Sequence, residues 1–107
     1  MSKTLDEVRP LVARGEVLIS LHGYEELAAD KIVVQDVIDG LAAAVVVEDY
    51  PEYPKGPSVR VLEQDRAKQP IHVVWGIVAG QTTPAVVVTA YRPDPTKWDQ
   101  LWLRRRP

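Results

Sequence analysis

Two histidines, four tyrosines and thirteen Lys and Arg side chains are the groups in this chain of 107 residues that could move protons or hold an anion. There is no cysteine, so thiolate chemistry, a disulfide framework and a thiolate metal site are all excluded. His22 and His72 show no paired His spacing, which leaves no zinc signature, and no metal or other cofactor is expected. Chemistry would have to run on imidazole, phenol, carboxylate and guanidinium. His72 lies in PIHVVWG, Arg60 in SVRVLE and Tyr91 in AVVVTAY. If each segment is a strand, period-two alternation puts Ser58, Arg60, His72, Thr89 and Tyr91 on one sheet face, with Val74 and Val87 between them. The other face is then apolar: Val59, Val61, Ile71, Val73, Trp75, Val86, Val88 and Ala90.

A cation, an imidazole, a phenol and hydroxyls on one face can clamp phosphate and move protons. Metal-free RNA cleavage needs a base near the ribose 2′-hydroxyl, positive charge on the scissile phosphate and an acid at the leaving oxygen. In that scheme His72 acts as acid or base, Arg60 and Lys68 hold phosphate, and Tyr91 transfers a proton or orients the phosphate. Ser58, Thr89 and Arg92 contact substrate. The plainer alternative is a solvated sheet face, with His72 hydrogen-bonded to a neighbour. His22 and Glu25 lie three apart on a helical stretch, with Glu26 four apart. They could orient an imidazole from the helix side, or form a local ion pair that fixes the helix against the sheet.

Three helices precede the strands. Leu5, Val8 and Leu11 or Val12 recur at helical spacing before Gly15, which predicts a helix over about residues 4–14, weakened by Pro10. The short VLIS segment leads to a second helix, capped by Ser20, with Leu21, Tyr24 and Leu27 or Ala28 on one side. Val34, Val37, Ile38 and Leu41 mark a third. VVVEDY, SVRVLE, IHVVWGIV and AVVVTAY then read as four strands with connections short enough for hairpins. The expected fold is α+β, with N-terminal helices packed on one face of a four-stranded antiparallel sheet. PEYPKGP must be a loop. WDQLWLRRRP is a short helix or an extended tail, and Trp98 and Trp102 could form an exposed ridge for a partner. A free edge strand leaves homodimerisation by strand pairing open.

At this length one domain, residues 1–107, is expected. The longest apolar runs are far shorter than the roughly 20 residues of a membrane-spanning helix, and MSKTLDEVRP has no signal-peptide pattern, so the expectation is a cytoplasmic protein with no membrane partner. The net charge of −2 hides a segregation: residues 1–54 hold 4 basic and 11 acidic side chains, residues 55–107 hold 9 basic and 4 acidic. A basic half suits phosphate or an acidic partner.

The segments ISLHGYEELAADKIVVQDVIDGLAAAVVVEDYP, PS at 57 and 58, PIHVVWG and VTAYRPDPTKW resemble the bacterial family catalogued as domain of unknown function 4258. His22, Glu25, Asp36, Tyr50, Pro57, Ser58, His72, Tyr91, Pro93, Asp94 and Trp98 occupy matching places. Glu26, Asp30, Lys31, Val33 and Gln69 depart from the pattern, and the first, second and last of these stand where arginine is usual. The resemblance implies the fold of barnase, colicin nucleases and RelE-type toxins, with an antitoxin protein as partner. Two functions follow. One is a metal-independent endoribonuclease of toxin type acting on RNA at the open sheet face. The other is a non-catalytic binding or regulatory module that meets a protein partner.

Overall fold

In the computed structural model, which describes residues 2–107, helix α1 (Lys3–Ala13) starts where the Ser2 hydroxyl accepts the Leu5 N–H at 3.1 Å. Pro10 sits inside it, on the exposed side, where the missing backbone donor leaves no buried acceptor unpaired. Strand β1 (Val17–Ile19) feeds directly into α2 (Leu21–Ala29), followed by α3 (Val34–Gly40), a single 3-10 turn (Leu41–Ala43) and four strands: β2 (Val45–Tyr50), β3 (Ser58–Gln64), β4 (Pro70–Gly76) and β5 (Ala85–Tyr91). The fold is α+β, with a five-stranded mixed sheet in the order β1-β5-β4-β3-β2.

This corrects the expected four antiparallel strands. Within VLIS, Val17–Ile19 form a fifth strand, which pairs parallel to β5, with Val17, Leu18 and Ile19 opposite Ala85, Val86 and Val87. The pairs β2–β3, β3–β4 and β4–β5 are antiparallel as expected. Three residues are too few to show a period, and the partner is about 70 residues away in sequence, so nothing local announces the pairing.

One face of the sheet carries the core. Val59, Val61, Ile71, Val73 and Trp75 are fully buried under Leu5, Val8, Leu11, Leu27 and Val37 from the helices. On β5 the expected parity fails. The register shifts between Val74 and Trp75, whose partners are Thr89 and Val87, so Val88 is an extra residue without a cross-strand partner. Ala85, Val87 and Ala90 point into the core instead of Val86, Val88 and Ala90, and Val88 is 37% exposed. A bulge of this kind re-aims side chains at a sheet face. Ser20 supports it: its N–H donates to the Val87 carbonyl and its hydroxyl to the Val88 carbonyl, while the same oxygen caps α2 by accepting the Gly23 N–H.

The C-terminal residues form neither a helix nor a free tail. Residues 94–107 fold back as a strap, joined by an isolated antiparallel bridge between Trp98 and Arg105. One carboxylate oxygen of Asp99 accepts the N–H groups of Leu101 and Leu103, and Arg106 donates to the Pro95 carbonyl. Trp98 is 4% exposed, so the expected tryptophan ridge does not exist; among the large apolar side chains of this segment, Leu101 is the one that projects to solvent. Among the described residues, no helix is long and apolar enough to cross a membrane.

Candidate functional site

Strand alternation does bring Arg60, His72 and Tyr91 together on the face opposite the helices. His72 and Tyr91 are cross-strand partners in β4 and β5, and Arg60 faces Val74 on β3. That face is not open here. The strap lays Trp98 edge-on against the imidazole, ring centroids 4.4 Å apart, and His72 is 0% exposed.

Both ring nitrogens of His72 are engaged. Nε2 is 2.6 Å from the Trp102 carbonyl oxygen and Nδ1 is 3.1 Å from the Tyr91 hydroxyl. A carbonyl can only accept, so Nε2 carries the proton, and in the neutral ring Nδ1 accepts from the Tyr91 O–H. Burial holds the His72 pKa below the usual imidazole value, against the opposing pull of the Trp102 carbonyl. Burial likewise raises the Tyr91 phenol above its ordinary range. Near neutral pH the pair is therefore uncharged and closed on itself. Trp102 adopts a positive φ of 63° where it delivers its carbonyl to His72, a conformation uncommon for a bulky residue.

Beside this pair lies a cleft of about 310 Å³ lined by Arg60, Tyr91, Arg92, Asp94, Lys97, Trp98 and Arg105. Arg60 and Arg105 converge on the Glu48 carboxylate: Arg60 Nη1 meets Oε1, and Arg105 grips both oxygens at 3.0 and 3.1 Å. Tyr50 also donates to Oε1. The Arg105 hydrogen bonds are the largest cause that pulls the Glu48 pKa down to about 2. The two guanidiniums rest on aromatic faces, Arg60 at 5.8 Å from the Trp98 ring centre and 5.9 Å from that of Tyr91, Arg105 at 4.8 Å from Trp98. Planar forks held this way suit bidentate recognition of a carboxylate or phosphate. Arg60 Nε is buried without a partner among the described residues.

The remaining expected residues scatter. Arg92 lines the cleft, but its guanidinium pairs with Asp65 at 2.8 Å and its backbone N–H donates to Asp30. Lys68 is in the exposed β3–β4 turn with a φ of 62° and does not line the cleft. Ser58 is buried and donates to the Gly56 carbonyl. Thr89 is half-buried on the bulged part of β5. His22 pairs with Glu26 at 3.6 Å across one exposed turn of α2, and Glu25 is exposed beside it. The pairing stays within one exposed turn of the helix. No group of three or more His, Cys, Asp or Glu side chains among the described residues could hold a metal ion.

Several participants escape sequence reasoning. Lys97 and Arg105 line the cleft, and Glu48 and Tyr50 meet its arginines, because β2 is the edge beside β3 and the strap crosses them, which no local pattern encodes. Glu63 was legible, since the alternation that turns Val59 and Val61 inward turns it inward too. It is 2% exposed, with Oε2 accepting the Trp75 indole N–H at 3.0 Å and Oε1 unpartnered among the described residues. Burial pushes its pKa up to about 8. Gly40, at the end of α3, leaves room for it: a Cβ there would stand 2.7 Å from Oε1.

Neither a curated protein nor a solved structure matches the chain. A family model, described as Domain of unknown function (DUF4258), matches residues 19–92, which runs from the last residue of β1 through β5 and leaves α1 and the strap outside. With well over half of its length covered, the chain belongs to this family.

Proposed function

We propose that the protein binds RNA through the cleft of Arg60, Arg92, Lys97 and Arg105, as a binding module that holds its substrate without cutting it while the strap is in place. The observation that carries this is the convergence of Arg60 and Arg105 on one carboxylate. Glu48 occupies the position an anionic oxygen pair would take, and Lys97 and the exposed Arg104 and Arg106 add positive charge around it. Because His72 has no free nitrogen and no solvent access, it has nothing to offer a ribose hydroxyl in this conformation.

A second reading is a metal-independent endoribonuclease of toxin type, with the fold of barnase, colicin nucleases and RelE-type toxins and with an antitoxin partner. The contact between Tyr91 and His72, with Arg60 close by, favours it, provided the strap moves away.

Fluorescence anisotropy of a short single-stranded RNA tests the binding. The affinity of the wild type should fall steeply between about 50 and 200 mM salt, as phosphate contacts release counterions. Lys97→Glu reverses one exposed charge at the rim and should weaken binding about tenfold at low salt. Absence of salt-sensitive binding, or an unchanged affinity in Lys97→Glu, would overturn the proposal.

A further inference from the structure

The same sheet face continues past the strap into an uncovered hollow of about 190 Å³, lined by Tyr53, Lys55, Ser58, Gly76, Val78 and Val88 among others. Its walls are exposed apolar side chains: Tyr53 is 51% exposed, Val78 46% and Val88 37%. Its floor is kept low by small residues. A Cβ on Gly76 would come within 2.9 Å of the Ser58 hydroxyl and 3.4 Å of a Val88 methyl, so the glycine leaves the hollow unfilled. Gly56, at φ 131°, brings the preceding loop against the Ile77 carbonyl, where a Cβ would stand only 2.0 Å away, and thereby positions Tyr53 and Lys55 on the rim.

The bulge in β5 creates this feature, because in a regular strand Val88 would point into the core. Two strand lines join the hollow to the cationic cleft. On β3, Ser58 and Arg60 are two residues apart on one face, about 7 Å at the usual strand rise. On β5, Val88 and Thr89 lead to Tyr91. An apolar hollow with one aromatic wall and a lysine at its rim therefore abuts a cleft of arginines.

We infer that the hollow is a nucleobase subsite, taking one base of a single-stranded RNA, stacked against Tyr53 over Gly76 and Val88, while the adjoining phosphate enters the cleft at Arg60 and Arg105. This rests on the RNA-binding reading of the cleft and extends it. A positive groove beside a stacking aromatic is how sequence-tolerant single-strand binding is built, since every base offers a π-face. The charge of the neighbouring cleft selects this occupant: an apolar segment of a protein would carry no phosphate to the arginines.

Two oligomers of equal length and phosphate number test the subsite: a single-stranded RNA and an abasic ribose-phosphate chain. With the wild type, the RNA should bind about tenfold more tightly than the abasic chain. Tyr53→Ala should remove most of that difference by weakening RNA alone, and Tyr53→Phe should restore it. Tyr53 is half exposed outside the core, so its loss leaves the fold intact, and equal melting temperatures check this. Equal affinities for the two oligomers in the wild type, or RNA binding indifferent to Tyr53→Ala, would overturn the subsite while leaving the cleft standing. Binding of neither oligomer would overturn the cleft and the subsite together.

Discussion

Replacing His72 with alanine should lower the melting temperature by more than about 10 °C. The side chain is fully buried, packs against Trp98 and Tyr91, and satisfies the Trp102 carbonyl and the Tyr91 hydroxyl together. Its removal leaves a cavity and two unpaired polar groups, each of which costs on the order of 1 to 3 kcal/mol, for a total of about 3 kcal/mol or more. In a domain of this size each kcal/mol moves the midpoint by roughly 4 to 8 °C. His72→Gln keeps an amide N–H for the carbonyl and should fall between the two. Calorimetry or thermal circular dichroism of the three proteins measures this directly. An unchanged midpoint in His72→Ala would mean that the imidazole is not holding the strap, and would return it to a chemical role on an accessible face.

Glu63 should dominate the pH dependence of stability between pH 6.5 and 8. Its native pKa is raised to about 8 from an ordinary value of 4.5. Between those values the native state keeps a proton that the unfolded chain has released. Stability is therefore full below pH 4.5 and declines as pH rises through 8, by about 1.4 kcal/mol per unit. His72 acts in the opposite sense. Its native pKa is lowered by burial, so its contribution is present above the usual imidazole value and diminishes as pH falls below it. The window from pH 6.5 to 8 isolates Glu63, and there the wild type should lose about 2 kcal/mol. Glu63→Gln preserves an acceptor for the Trp75 indole N–H and has nothing to titrate, so its stability should stay nearly flat. Urea titrations at four pH values give both curves. Parallel curves for the two proteins would contradict the assignment of a protonated Glu63 in the core.

These two side chains mark where sequence reasoning reaches and where it stops. Period-two alternation suffices to put Arg60, His72 and Tyr91 on one face, because those strand segments are regular at those positions. The same rule gives the wrong face for Val86 and Val88, since a single extra residue inverts parity and a bulge leaves no composition cue. Helix α1 survives Pro10 because the proline faces solvent, a fact that follows from packing and not from propensity. β1 is found only through its parallel partner β5. The strap is harder still. WDQLWLRRRP has no helical or strand period, and its conformation is set by Asp99 collecting backbone N–H groups and by Arg105 reaching Glu48. A run of arginines that reads as a solvated tail thus closes over the polar face, and changes His72 from a candidate reactive group into a buried one.

The acidic oxygens in the cleft set a limit on its charge. Glu48 neutralises part of Arg60 and Arg105, and Asp65 engages Arg92, so an incoming phosphate must compete with carboxylates already in place. Arg105 is more than half exposed, and its ion pair contributes little to stability by itself.

The most direct measurement incubates the wild-type protein with labelled single-stranded RNA in the presence of a chelator, then runs each sample on native and denaturing gels side by side. RNA binding without cleavage predicts a retarded complex on the native gel and full-length RNA on the denaturing one. Fragments produced by the wild type and absent with a folded His72→Gln variant would contradict it, and would place catalysis at an imidazole that the strap uncovers in solution.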